Sequence, residues 1–335
     1  MDIDHPAEMM QNDPQDMLAH ILALPDQLLK AWELGRSADP GQEKTPERIV
    51  IAGMGGSAIG ADLLQAYLQP YCHVPILVHR DYGLPSWASG DSTLVIAASH
   101  SGNTEETLSA FNAALQQGCR TMAICTGGQL KEKALAAHSP VMQFVHSGQP
   151  RAAVGYSFGM LLATLVNLGL VPDQVVKLQG AVQTMRTEMT HLVPDVPVKD
   201  NPAKRLAGQI LARMPVVVGA GLMAPVARRW KGQFNELAKS WAQFDYLPEF
   251  DHNSLAGLEY PGTVLQNIIV LFLKAPDDRP ENQLRLDLTR RVMMTEGINT
   301  DIIRMAGRSD LEQLWAAVHL GDFCSYYLAS LEGTY

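Results

Sequence analysis

Cysteine is scarce: four residues in 335, Cys72, Cys119, Cys125 and Cys324, with no CxxC or CxxH spacing. That pattern gives no disulfide framework or zinc motif, and it suits reduced, buried thiols in a cytoplasmic protein. Long apolar runs are missing too. No stretch approaches the roughly 18–20 residues that cross a bilayer. The segment Met1 to Asp16 is acidic, without a basic n-region or an apolar h-region, so no signal peptide and no membrane partner are expected. Positive charge is in deficit: 26 Lys and Arg against 35 Asp and Glu give a formal net charge of −9. A nucleic-acid partner is therefore not expected. The ten histidines show no metal-ligand spacing, so no metal is expected either. What the chain does have is a 47% hydrophobic content, enough to fill two domains or one bilobal one.

Residues 13–36 read as an amphipathic helix, with Leu18, Ile21, Leu22, Leu28 and Leu29 near helical spacing. A polar stretch, 36–47, carries Pro40 and Pro46 and reads as a linker. Strands and helices then alternate: strand 48–53, helix 57–68, strand 75–79, strand 93–98, helix 104–117 and strand 121–125. Such alternation implies parallel strands with helices on both faces. The pattern recurs. Val216 to Gly221 repeats Val50 to Gly55, and a helix of about 224–240 follows it. A strand over 267–273, a helix over 281–296 and a strand over 300–304 complete the second copy. Helices over 154–169 and 174–191 separate the two. The expected fold is α/β: two doubly wound parallel-sheet subdomains from an internal duplication, with flanking helices. The expected segments are 1–45 (helix and linker), 46–150 (first subdomain), 151–200 (linking helices) and 201–335 (second subdomain).

Two loops carry the chemistry: Gly53-Met54-Gly55-Gly56-Ser57-Ala58 and Ser99-His100-Ser101-Gly102-Asn103-Thr104. Each lies between a strand and a helix, where free N–H groups and the helix dipole favour an anion. The hydroxyls of Ser99, Ser101, Thr104 and Thr107 suit a phosphate. They also suit helix capping, with Ser101 or Asn103 as cap and Glu106 closing a capping box. Gly53-x-Gly55-x-x-Ala58 loosely fits a dinucleotide fingerprint. However, the next strand ends His79-Arg80-Asp81 without a well-placed acidic residue, and a dinucleotide leaves the Ser/Thr loop unexplained. Gly155-Tyr156-Ser157-Phe158-Gly159 reads as a tightly packed helix start and not as a nucleophile elbow.

With both loops in view, the chain resembles sugar isomerase (SIS) domain proteins, and more closely the bifunctional phosphoglucose/phosphomannose isomerases. The carriers are the two loops, Pro150-Arg151-Ala152, Phe234-Asn235-Glu236-Leu237-Ala238-Lys239, Pro248-Glu249-Phe250-Asp251-His252-Asn253 and Leu320-Gly321-Asp322. The resemblance implies cofactor-free aldose–ketose isomerisation of glucose 6-phosphate, and of mannose 6-phosphate, to fructose 6-phosphate through a cis-enediol. Gly56, Ser57, Ser99, Ser101 and Thr104 would hold the phosphate. Glu236 would be the proton-transfer base, and its neighbours Trp230, Phe234, Leu237 and Trp241 suggest a desolvated carboxylate. On the residues alone it reads as a solvated helix glutamate. Arg151 would face the enediolate oxygens, although alone it reads as a surface cation. His252, catalytic or merely exposed by position, would assist ring opening across a homodimer interface with shared active sites.

The family continues past the 320–322 helix to a lysine that aids ring opening, and no residue up to Tyr335 matches it. One expectation is that the polypeptide continues beyond Tyr335 to such a lysine; another is that it works without one, so that His252 alone opens the ring. A third is a non-catalytic regulator that binds a sugar phosphate. Ala58 and His100 also depart from the commonest spelling of the two loops.

Overall fold

A computed structural model of the chain describes residues 3–11, 13–41 and 44–334. These residues form two compact units: Ala23–Val176, and Met1–Leu22 together with Lys177–Tyr335. The chain opens with α1 (Pro6–Gln11) and α2 (Met17–Leu22), the latter started by Asp13, which accepts from Met17 N and Leu18 N at 2.9 Å each. The single helix expected over 13–36 breaks at Ala23, and Pro25 is the cause. It has no N–H to donate to Ile21 O, while its fixed φ suits the first turn of a new helix, α3 (Leu24–Ser37). The carbonyl left over, Ile21 O, lies 2.9 Å from His319 Nε2 in the last helix of the same unit. Burial lowers the pKa of that histidine, so it stays neutral at neutral pH.

The central unit, Ala23–Val176, continues through β1 (Arg48–Ala52), α4 (Gly55–Leu68), β2 (Ile76–His79) and β3 (Thr93–Ser99). Next come α5 (Glu105–Gln116), β4 (Arg120–Cys125), α6 (Gly128–Ala136) and β5 (Val141–Gln143). A 3-10 turn (Pro150–Ala153) leads into α7 (Val154–Asn167). The sheet order is β2-β1-β3-β4-β5, all parallel. β3 is buried at every position, as a strand covered on both faces must be, which explains its unbroken apolar run. Parallel register brings the loops after β1 and β3 to the same sheet edge, where α/β proteins bind ligands.

The terminal unit contains most of α8 (Val175–Met189), then α9 (Pro202–Ile210), β6 (Met214–Ala220), α10 (Met223–Glu236), β7 (Gln243–Leu247) and α11 (Phe250–Asn253). α12 (Gly262–Leu265), β8 (Ile268–Lys274), α13 (Pro280–Thr295), β9 (Asn299–Arg304) and α14 (Asp310–Glu332) complete it. Its parallel sheet runs β7-β6-β8-β9, repeating β2-β1-β3-β4. The duplication extends to backbone detail: Gly55 and Gly221, each after the first strand of its half, share a φ of +48°.

The unit boundaries differ from the four segments expected. α3 and the turn at 150–153 belong with the first sheet because Gln27 joins them. Its Nε2 donates to Ala152 O (2.9 Å) and its Oε1 accepts from Gly155 N (2.8 Å). α8 belongs with the second sheet, where Thr184 Oγ1 donates to Glu312 Oε2 at 3.1 Å. Helix 224–240 stops earlier than expected, at Glu236: Ser240 N closes onto Phe234 O (3.1 Å) and Lys239 adopts a φ of +56°. Among the described residues no helix is long and apolar enough to cross a membrane.

Candidate active site

The Ser/Thr loop is shaped from within. Ser99, the last residue of β3, is buried; its Oγ accepts from Gly102 N (3.0 Å) and pairs with Thr104 Oγ1 (2.9 Å). It therefore organises the loop, where the sequence suggested a direct phosphate contact. Gly102 has a φ of +70°, and an added Cβ would lie 1.8 Å from Gly127 O, so only glycine fits. Ser101 is exposed, and its Oγ accepts from Asn103 N (3.1 Å), while Asn103 Oδ1 accepts from Gln129 N (3.1 Å). Neither caps α5. The N-cap is Thr104, which makes no side-chain cap bond, so α5 presents its first-turn N–H groups without a capping side chain. The same holds for α4, whose N-cap is Met54. Two uncapped helix starts beside one another form an array of donors suited to an anion.

Gly56 and Ser57 lie in the first turn of α4. Ser57 Oγ accepts from His100 N (3.1 Å) and its carbonyl accepts from Ser157 Oγ (2.9 Å), so the two loops and α7 are tied at one point. Gly56 packs directly on the turn that carries Arg151. A Cβ there would lie 2.4 Å from Pro150 O and 3.0 Å from Arg151 N. Arg151 is half-buried, and Gln27 fixes the following residues from α3. Gln27 went unremarked in the sequence, yet it is detectable there: Leu24, Gln27, Leu28 and Ala31 follow helical spacing, and a lone polar group on that face needs partners.

His100 and His146 meet beside these loops, Nε2 to Nδ1 at 2.9 Å, with Phe144 against His100 and Tyr156 against His146. Burial lowers the pKa of His100, so it is neutral at neutral pH and adds no fixed cation to the loop. Arg80, the cation that a phosphorylated dinucleotide would need, is paired with Asp62. Among the described residues no cluster of three His, Cys, Asp or Glu side chains is placed to hold a metal ion.

The other two expected residues lie in the terminal unit. Glu236 is the last residue of α10 and is exposed. Trp230, Phe234 and Leu237 face the core and Trp241 faces solvent, so sequence neighbours do not enclose the carboxylate as expected. α10 itself is held firmly. Arg229 Nη2 donates to both carboxylate oxygens of Asp322 (3.0 and 2.9 Å), and Gln233 Nε2 donates to Asp322 Oδ1 (2.7 Å), all three side chains being buried. Trp230 Nε1 donates to Ala317 O (2.9 Å) across a contact that Gly321 leaves open. The Gly321-Asp322 pair thus acts on the helix that ends in Glu236.

His252 is exposed on α11, a short helix where an irregular stretch was expected. Its neighbour Asp251 fixes the segment to α13, accepting from Thr289 Oγ1 (2.7 Å) and Arg285 Nη1 (3.0 Å). The imidazole is carried outward on an anchored support.

Residues 199–334 match the model of the bacterial phospho-glucose isomerase C-terminal SIS domain. The bifunctional phosphoglucose/phosphomannose isomerase of Caldicellulosiruptor bescii is 38% identical over 319 residues, covering 94% of this chain and 93% of its own. Its namesake from Aquifex aeolicus is 33% identical over 305 residues, covering 90% and 89%. In fold, the tagatose-6-phosphate ketose/aldose isomerase of Escherichia coli is similar, with a TM-score of 0.69 at 15% identity over 94% of this chain and 92% of that one. The curated relatives are named as enzymes, which does not favour the regulator. The chain belongs to the family of bifunctional phosphoglucose/phosphomannose isomerases and is a sugar-phosphate isomerase.

Proposed function

We propose that this isomerase interconverts glucose 6-phosphate and fructose 6-phosphate, and accepts mannose 6-phosphate, through a cis-enediol. The observation that carries the reading is the pair of uncapped helix starts at α4 and α5, surrounded by Ser57, Ser101 and Thr104. In this reading the phosphate rests on those N–H groups and hydroxyls, with Gly56 allowing the backbone to come close and Ser99 holding the loop in shape. Arg151 stabilises the negative charge that develops on the enediolate oxygens. Glu236 carries the proton between C2 and C1. His252 moves a proton between the ring oxygen and the O1 hydroxyl, and it does so in a partner's site, so the working unit is a homodimer. Its exposure on an anchored segment supports that role. We assign the reaction to the cytoplasm, a setting that suits four unpaired cysteines.

The test is a coupled assay for fructose 6-phosphate formation from both aldose phosphates, repeated with Glu236→Gln. The variant keeps the shape of the side chain but cannot accept the proton. Turnover should fall by about 10²–10⁴-fold with substrate affinity little changed. Turnover near that of the parent removes Glu236 from the chemistry.

A further inference from the structure

The two halves of the duplication end differently. In the central unit β5 pairs with the outer edge of β4, Ala123 with Val141 and Cys125 with Gln143. In the terminal unit β9 is the last strand of its sheet among the described residues. Met305 N donates to Lys274 O, towards β8, so by alternation the amides of Ile302 and Arg304 face away from the sheet. The Ile302 amide is taken by Asp301 Oδ1 at 2.8 Å.

Alongside β9 lies a cavity of about 260 Å³, bounded by residues 301–306, one face of α9 and single turns of α8 and α14. Leu206 and Leu320 contribute to its apolar wall, while Glu188, Arg205, Gln209 and Arg304 supply polar groups. Among the described residues none of these four side chains has an ion pair or hydrogen-bond partner. An apolar wall with a few convergent polar groups is the usual make-up of a small-molecule site. Two guanidinium forks match a phosphate. The carboxylates of Glu188 and Asp301 offset that charge, so a bare anion meets repulsion as well as attraction. A ligand with an anionic end and a hydroxylated end satisfies both sets.

We propose that this cavity is a second ligand site for a small phosphorylated polyol. Arg205 and Arg304 take the phosphate, and Glu188 and Gln209 take the hydroxyls. The site lies wholly within the terminal unit and does not involve the Ser/Thr loop of the central one.

Sorbitol 6-phosphate is a suitable probe, because it has no carbonyl and cannot be isomerised. Calorimetric titration should show two binding events per chain. Arg205→Ala combined with Arg304→Ala should remove one of them, weakening it at least tenfold, and both arginines are exposed enough for the fold to tolerate the change. Glu188→Gln, a size-preserving variant, should weaken sorbitol 6-phosphate at this site and leave inorganic phosphate no weaker. Ser101→Ala with Thr104→Ala should remove the other event. An arginine variant that binds as many molecules as the parent overturns the proposal. So does an arginine-dependent site that prefers inorganic phosphate. If only the Ser101/Thr104 variant is without effect, the loop is not the phosphate site and the cavity proposal stands.

Discussion

Replacing Asp322 by alanine should destabilise the terminal unit by about 3–5 kcal/mol, the usual cost of removing one partner from a buried ion pair. Asp322 and Arg229 are each only 3% exposed, and the aspartate accepts both from Arg229 at 2.9–3.0 Å and from Gln233 at 2.7 Å. Alanine leaves the Arg229 guanidinium buried without that carboxylate and removes the Gln233 acceptor as well. The loss is therefore of a charge partner and a hydrogen-bond acceptor together. Trp230 is fully buried one residue from Arg229, so its fluorescence reports the unfolding of this unit. With a urea slope of about 2–3 kcal/mol/M, the midpoint should drop by roughly 1–2.5 M. The informative control is Arg229→Met with Asp322→Leu, which removes both charges and keeps apolar volume. Replacements of that kind are often neutral or stabilising, so the double variant should be clearly more stable than Asp322→Ala. If single and double variants lose the same stability, the cost comes from packing and the charge argument fails.

Gly56→Ala forces a Cβ to within 2.4 Å of Pro150 O, so kcat/KM should fall and stability drop by about 1–3 kcal/mol, the range for overpacking. Parent-like melting and turnover would show that the turn yields freely. Gln27→Leu removes the bonds that fix Ala152 and Gly155, and it should lower kcat/KM although Gln27 itself is buried. An unchanged kcat/KM refutes its positioning role. The Glu312 carboxyl is held below its ordinary pKa of 4.5, chiefly by the Arg308 N–H and further by the Thr184 and Ser309 hydroxyls. Its folded pKa being depressed, the unfolded chain takes up the proton first. The stabilisation is then complete above about 4.5 and fades as pH falls through the lower folded value. Glu312→Gln should cost stability at pH 7, with the deficit shrinking towards pH 3. A deficit constant with pH contradicts the assignment.

Strands β1, β3, β4, β6 and β8 were legible as apolar runs because burial on both faces removes alternation. β5 has only three residues, and β7, Gln243-Phe244-Asp245-Tyr246-Leu247, has its middle positions only partly covered or exposed, so neither leaves such a run. The anion loops were legible as glycines and hydroxyls between strand and helix. Which hydroxyl does what was not, since Ser99 and Asn103 bond to Gly102 and Gln129, and those choices belong to the folded loop. Gln27 acts on Ala152, 125 positions away, and Asp322 on Arg229, 93 positions away, separations that local patterns do not encode. The enclosure expected around Glu236 failed for a related reason. Apolar neighbours in a helix sequence point in several directions, and here most of them point inward, away from the carboxylate.

The division of the chain at Ala23 also bears on the order of events during synthesis. The segment before Ala23 is translated ahead of the central unit, yet its packing partner α14 follows only after that unit is complete. At about 5–20 residues per second, the apolar side of α2 waits about 15–60 s for that helix. Meanwhile Ala23–Val176 can fold behind it as a continuous stretch. Met17, Leu18 and Ile21, buried in the finished protein, are then open to chaperones or to a neighbouring nascent chain. Asp4 adds to the delay: it finally accepts from Lys204 Nζ at 3.0 Å and Val198 N at 2.9 Å, both translated about 200 residues later. α2 and α14 thus complete their packing together, and loss of α2 should show its damage at α14.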